Sequence, residues 1–189
     1  MNTFVLRILI FVVFIMLDFS IAGCAMGREW VFHQFSFDAK NESPNIQILD
    51  WQYGEKSAEY DAMQQTGLRA SRSQVEAGIP DSAGGGAGVI PVGDFLYVKW
   101  RVMPGGEIFE DKVDLTKRLP KNMKFYALHF VVDGPQLYIY LIPPTLPGVP
   151  PFNLPDISPS VWPSFVYAKS RRGDKDAIEY MKKHQIYPN

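Results

Sequence analysis

The stretch "GDFLYVKWRVMPGGEIFEDKVDL", residues 93–115, alternates apolar and polar side chains on both sides of a turn signal. Alternate side chains of an extended chain point to opposite faces, so each half has one apolar face. The Pro-Gly-Gly at 104–106 favours a tight turn between the halves. The stretch therefore predicts a β-hairpin. Its predicted inward positions are Leu96, Val98, Trp100 and Val102 in the first strand, and Phe109, Val113 and Leu115 in the second.

A second hairpin is predicted further along the chain. The segments "KFYALHFVV", residues 124–132, and "QLYIYLI", residues 136–142, flank an Asp-Gly-Pro turn signal. In the second segment, aliphatic residues alternate with Tyr138 and Tyr140. This pattern is typical of a strand with one buried face.

Two more strands are predicted before the first hairpin. In "EWVFHQFSF", residues 29–37, the odd-numbered positions from Val31 to Phe37 share one face. In "NIQILDWQY", residues 45–53, Ile48 and Asp50 share a face opposite Trp51 and Tyr53. Both segments therefore predict strands with a core-facing side.

The remaining segments carry weaker signals. Residues 54–93 predict a loop region, and "PDSAGGGAG" at 80–88 predicts no regular structure. The glycines also lack the Lys and Ser or Thr that follow a phosphate-binding loop. Residues 143–163 hold eight of the fifteen prolines, which argues against a helix or a central strand. In the tail, "SFVYAK" at 164–169 predicts a short strand and "DKDAIEYMKKH" at 174–184 a helical stretch.

These patterns predict a mainly β protein, a small antiparallel β-sandwich with long loops and one short helix. The composition agrees, since 47% apolar and 21% charged residues are values of globular domains. Nineteen basic and twenty acidic residues give a net charge of −1, so no basic excess is present to bind nucleic acid.

The N-terminus predicts an exported protein. The apolar block "ILIFVVFIML", residues 8–17, is too short to span a bilayer and has the length of a signal-peptide core. Arg7 precedes it, and the small residues Ala22 and Gly23 follow it. This order predicts a signal peptide over residues 1–23 and cleavage before Cys24.

Cys24 is the only cysteine, so it supports neither a disulfide nor a structural zinc site. The residues "IAGC" at 21–24 resemble the bacterial lipobox, in which the cysteine becomes a lipidated N-terminus. That resemblance implies a membrane anchor at Cys24, and Ala25 at the next position implies the outer membrane. The expected mature chain, residues 24–189, is a single β domain facing the periplasm. The alternatives are a buried Cys24 or an uncut N-terminal membrane helix.

The sequence lacks the signatures of common enzymes. It holds no G-x-S-x-G, H-E-x-x-H or G-K-[ST] motif and no cysteine nucleophile. His33, His129 and His184 show no ligand spacing, which favours structural or surface roles. An acidic set on the second hairpin strand alternates between faces and predicts a solvated edge. We therefore expect no enzyme, no metal and no cofactor. The acidic set is Glu107, Glu110, Asp111 and Asp114.

Several strings resemble those of a group of small proteobacterial lipoproteins. The strings are "FSFDAKNESPNIQILDWQYG", "GDFLYVKWR", "GEIFEDKVDLTKRLP", "HFVVDGPQLYIYLI" and the closing "IYPN". Genes of that group tend to lie beside those of type VI secretion phospholipase effectors, and the proteins act as periplasmic immunity proteins. The resemblance covers roughly residues 35–53, 93–142 and the last few, and implies stoichiometric inhibition of a lipase. The proline-rich segment and "SAGGGAG" depart from it.

If the protein acts by binding, exposed hairpin faces and the proline-rich loop are the expected contact regions. The candidate partner-binding residues are Tyr97, Arg101, Glu110, Asp114, Phe152 and Trp162. Each has a plainer alternative. Tyr97 and Arg101 can simply lie on the solvent face of a sheet, and Phe152 and Trp162 can pack the proline-rich loop against the core. Two other functions stay open, a structural or assembly lipoprotein of an envelope apparatus and a carrier with a large apolar pocket.

Overall fold

The computed structural model describes residues 29–54, 68–144 and 162–188 of the chain. In chain order these residues form β1 (Trp30–Phe37), α1 (Ala39–Glu42), β2 (Ile46–Tyr53), α2 (Arg72–Ala77), β3 (Gly84–Pro91), β4 (Phe95–Val102), β5 (Glu107–Asp114), β6 (Ala127–Asp133), β7 (Gln136–Ile142), α3 (Trp162–Arg171), α4 (Lys175–His184) and β8 (Gln185–Tyr187). The predicted signal peptide, Cys24 and most of the proline-rich segment lie outside the described residues.

The strands form two sheets that pack face to face. The larger sheet has the order β3-β1-β6-β7-β8, and the smaller has the order β2-β4-β5. Neighbouring strands are antiparallel except for β1 and β6, which run parallel. A layer formed by α3 and α4 covers the outer face of β6 and β7. The prediction of a mainly β, antiparallel-rich sandwich is confirmed.

Aromatic rings fill the space between the two sheets. Phe35 of β1 is fully buried and stacks on Tyr53 of β2, with ring centroids 4.8 Å apart. The same ring lies 5.4 Å from Trp51 and 5.8 Å from Phe130 of β6. Because Phe35 contacts strands of both sheets, it joins them across the core.

The two predicted hairpins, β4-β5 and β6-β7, are confirmed with their turns. The facing of β2 was predicted wrongly, since Ile48, Trp51 and Tyr53 are all buried. The register against β4 shifts between Ile48 and Asp50, which leaves Leu49 as a bulge. An inserted residue reverses the alternation that follows it, so both halves of β2 bury their apolar side chains.

The glycine-rich stretch is the main correction. Residues predicted as a loop form β3, which pairs with β1 along its whole length, from Trp30 with Pro91 to Phe37 with Gly84. A Cβ atom at Gly85 would overlap the carbonyl oxygen of Phe35. The glycines therefore allow the two backbones to lie closer than larger residues would permit.

The tail is more helical than predicted. "SFVYAK" was predicted as a strand, but it lies within α3, and Pro163 stands in the first turn, where proline is tolerated. Val166 and Tyr167 of α3 are buried against the β6-β7 side of the sheet, so tertiary packing decides the helix. The helical prediction for α4 is confirmed, and the side chain of Asp174 caps its start by accepting from the backbone N–H of Ala177.

Substitutions at two glycines of β3 distinguish the effect of close packing from the effect of backbone strain. Gly85 and Gly88 have nearly the same φ, 136° and 135°, but a Cβ at Gly88 would meet nothing within 4 Å. Gly85→Ala should therefore lower the free energy of unfolding by about 1–3 kcal/mol more than Gly88→Ala. Urea unfolding of both variants measures the difference, and equal losses would contradict the close approach of β3 to β1.

Candidate binding face

The outer face of the smaller sheet presents three rows of mostly polar side chains. Paired residues of antiparallel strands point to the same side, so the register defines the rows. The neighbouring positions Leu96, Val98 and Trp100 point the other way and are buried in the core. The rows are Gln47-Arg101-Ile108, Asp50-Lys99-Glu110 and Gln52-Tyr97-Lys112, and we call these nine residues the Tyr97 face.

Hydrogen bonds orient the side chains of this face. The hydroxyl of Tyr97 donates to Oε2 of Glu110 at 3.1 Å, and Nη1 of Arg101 donates to Oε1 of Gln47 at 3.2 Å. Partial burial and the hydrogen bond to Glu110 raise the pKa of Tyr97 to about 12. Tyr97 therefore keeps its proton and stays a donor at neutral pH. The face offers fixed groups of both charges beside an aromatic ring.

The structure brings four of the six candidate residues to one side of the smaller sheet, since Tyr97, Arg101 and Glu110 belong to the Tyr97 face and Asp114, paired with Phe95, lies one row beyond it. Asp114 lies at the end of β5, where its carboxylate accepts hydrogen bonds from the hydroxyl and the backbone N–H of Thr116. These bonds hold the pKa of Asp114 below its usual value. Phe152 lies outside the described residues, as does Cys24. Trp162 begins α3, and its side chain is outside the described part.

Two of the three histidines are buried in strands. His33 points into the core, where its Nδ1 lies 3.0 Å from the carbonyl oxygen of Val31 and its Nε2 lies 3.1 Å from the hydroxyl of Tyr53. Burial lowers the pKa of His33, which favours the neutral ring. His184 is half-buried at the end of α4, with Nδ1 2.8 Å from the carbonyl oxygen of Tyr180.

His129 belongs to a buried polar network that the sequence did not predict. Its Nδ1 lies 2.9 Å from Oγ of Ser36, and its Nε2 lies 2.8 Å from Oε1 of Glu42. The hydroxyl of Ser43 donates to the carbonyl oxygen of Val132 beside it. The network fastens the helical turn α1 to β1 and β6. Glu42 and His129 are 87 residues apart, so no local spacing could predict their contact.

Serine, histidine and carboxylate are also the components of a hydrolase triad. In that triad the serine bonds Nε2 of the histidine, and the carboxylate bonds Nδ1. Here the two ring nitrogens are exchanged, and His129 and Glu42 are buried to 1% and 6% exposure. This geometry favours a structural network over a nucleophile that is presented to substrate.

The purified chain is therefore expected to hydrolyse p-nitrophenyl esters and phospholipids no faster than background. Ser36→Ala should leave that background unchanged, because Ser36 is expected to act only as a hydrogen-bond partner of His129. Ester release followed by absorbance measures both rates. A turnover that Ser36→Ala abolishes would make Ser36 a nucleophile and contradict the structural reading.

A cavity of about 480 Å³ lies where β5 ends and the C-terminal strand passes. It is lined by Asp114, Lys117, Arg118 and Ile186, and Nη1 of Arg118 donates to the carbonyl oxygen of Ile186 at 2.6 Å. Among the described lining residues, three are charged and one is apolar. Within the described ranges, no three His, Cys, Asp or Glu side chains are placed to hold a metal ion.

Comparisons of the chain with known protein families, with curated proteins and with solved structures find no match. None of the helices within 29–54, 68–144 and 162–188 is long and apolar enough to cross a membrane.

Proposed function

We propose that the protein is a lipid-anchored envelope protein that binds a type VI secretion phospholipase in the periplasm and neutralises it. The Tyr97 face is the observation on which the proposal depends. Export and anchoring at Cys24 are inferred from the sequence, and the partner class is inferred from the family resemblance. The immunity function combines these three inferences.

The chemistry of the Tyr97 face supports a protein partner. Tyrosine and arginine are enriched among the residues that dominate binding energies, and Tyr97 and Arg101 lie on the central strand β4, one on each side of Lys99. Their hydrogen bonds to Glu110 and Gln47 hold them in place before a partner arrives. Side chains that are already ordered lose less conformational entropy on binding.

A lipid anchor would serve this function directly. Each buried methylene of an acyl chain contributes about 0.8 kcal/mol, so several chains hold a protein stably at a membrane. A phospholipase acts at the same membrane, and confinement there raises the local concentration of inhibitor without new contacts. The active-site entrance or lid of the lipase is the surface that such an inhibitor would cover.

Charge reversal on the Tyr97 face tests the binding step. If a phospholipase-like protein is encoded beside this gene, Arg101→Glu should weaken binding to that protein by about 2 kcal/mol, a 30-fold rise in Kd. Arg172→Glu, the same change at an exposed position after α3, should leave Kd unchanged. Titration of the detergent-extracted protein against that lipase gives Kd, and the lipase assay gives inhibition.

If the unaltered protein inhibits the lipase and Arg101→Glu inhibits it equally well, the interface lies outside the Tyr97 face. If the protein binds no lipase but co-purifies with envelope apparatus subunits, the assembly function replaces immunity.

Lipidation is tested separately from binding. Cys24→Ser removes the thiol that a lipobox cysteine uses for its diacylglycerol thioether. Cells grown with an alkynyl fatty acid should label the unaltered protein and leave the variant unlabelled. Equal labelling of both proteins would refute the anchor at Cys24.

A further inference from the structure

Four exposed apolar side chains meet on the outer face of the larger sheet, on the β1-β3 side of the helical layer. Trp30 and Phe32 are 42% and 49% exposed, and Val89 and Phe125 are 58% and 57% exposed. Phe32 is paired with Val89 in the register of β1 and β3, and its ring centroid lies 5.6 Å from that of Phe125. We call these four residues the aromatic patch. Clustered exposed apolar side chains mark interaction surfaces.

The backbone of Phe125 holds its ring in this patch at a cost. Phe125 has a positive φ of 65°, a conformation that bulky residues rarely adopt. Its N–H donates to the carbonyl oxygen of Phe32 at 2.6 Å, which fixes the two residues side by side. The ring of Phe125 is exposed, so its burial within this chain offsets little of the backbone strain. Burial of the ring against a partner would offset more of that strain.

Positive charge borders the patch. The ammonium group of Lys124 lies 5.2 Å from the ring centroid of Phe125. The segment of residues 116–125, which leads from β5 to Phe125, has four basic and no acidic residues. Two of the four, Lys117 and Arg118, line the cavity at the end of β5. In the sequence, Arg28 and Glu29 precede Trp30 and add no net charge. This excess is local, because the whole chain has a net charge of −1.

The patch also lies close to the predicted anchor. Trp30 follows Cys24 by six residues, which span at most about 20 Å when fully extended. A lipid on Cys24 would therefore keep the start of β1 within that distance of the bilayer. Trp and Phe favour the headgroup region, and lysine beside them can pair with lipid phosphate.

We propose that the aromatic patch is a second membrane contact, which inserts shallowly into a bilayer containing anionic phospholipid. Trp30, Phe32, Val89 and Phe125 enter the headgroup boundary, and Lys124 pairs with phosphate. The inference rests on the anchoring part of the proposed function. It fixes an orientation as well, because the patch and the Tyr97 face belong to the outer faces of opposite sheets. With the patch on the membrane, the Tyr97 face points into the periplasm.

Quenching of Trp30 by brominated phospholipids tests the contact. The full chain, made in cells and extracted from their membranes, is reconstituted into phosphatidylcholine vesicles with or without phosphatidylglycerol. The difference in emission between the protein and Trp30→Phe isolates Trp30 from the other tryptophans. That difference signal should be quenched more by bromines near the headgroup than by bromines deep in the chain, and more strongly with phosphatidylglycerol.

Variants separate the patch from general surface effects. Phe125→Ser and Lys124→Glu should each reduce the quenching of Trp30 by at least twofold. Ile79→Ser is the control, since Ile79 is 53% exposed but lies before the start of β3, away from the patch. It should leave the quenching unchanged.

Several results would overturn the proposal. The proposal fails if brominated lipid does not alter the emission of Trp30, or if the chain does not enter vesicles. It also fails if all variants are quenched equally. Shielding of Trp30 by the lipase alone would make the patch a protein interface. A detergent-solubilised dimer that Phe125→Ser dissociates would assign the patch to a second copy.

Inhibition of the lipase by the same variants in detergent is scored separately. Inhibition without quenching refutes only the membrane contact, and quenching without inhibition refutes only the immunity function.

Discussion

The contact of Phe35 with rings of both sheets is the constraint on which the rest of this fold depends. β1 lies between β3 and β6, so the position of Phe35 sets where the larger sheet meets the smaller one. The approach of β3 at Gly85 to the carbonyl of Phe35 is possible only without a side chain. The strand that carries Phe35 is thus bordered by an edge strand, β3, whose glycine lets the two backbones approach closely. Large rings on one side of β1 and missing side chains on its neighbour are complementary parts of one packing solution.

The sequence predicts the hairpins because their turns and alternating side chains are local. β3 could not be predicted from alternation, since glycines give no pattern of faces, and only its pairing with β1 makes it a strand. The bulge at Leu49 is also set by the partner strand, because β2 must bury Ile48 and Trp51 against the same core. α3 is decided by contacts of Val166 and Tyr167 with a distant hairpin. Long-range packing decided each of these elements.

The candidate site was predictable to the same extent. Residue parity in β4 places Tyr97 and Arg101 on one outward face, and the hairpin register adds Glu110. Their hydrogen bonds to side chains of other strands required the structure. The aromatic patch had a partial signal, because Trp30 and Phe32 occupy the outward positions of β1 in the alternating pattern. The approach of Phe125 had none, since it depends on a positive φ and on a bond to a residue 93 positions away.

The period of two along a strand also explains how one small sandwich can carry two separate surfaces. Inward side chains of both sheets are used in a single core, which leaves two outward faces that point in opposite directions. On the larger sheet, α3 and α4 cover β6 and β7, where His129 and Glu42 are buried, so the surface that stays exposed is the β1-β3 side nearest the N-terminus. On the smaller sheet the whole width of three strands presents the Tyr97 face. The anchor proposed at Cys24 would therefore act on the face beside β1 without obstructing the other.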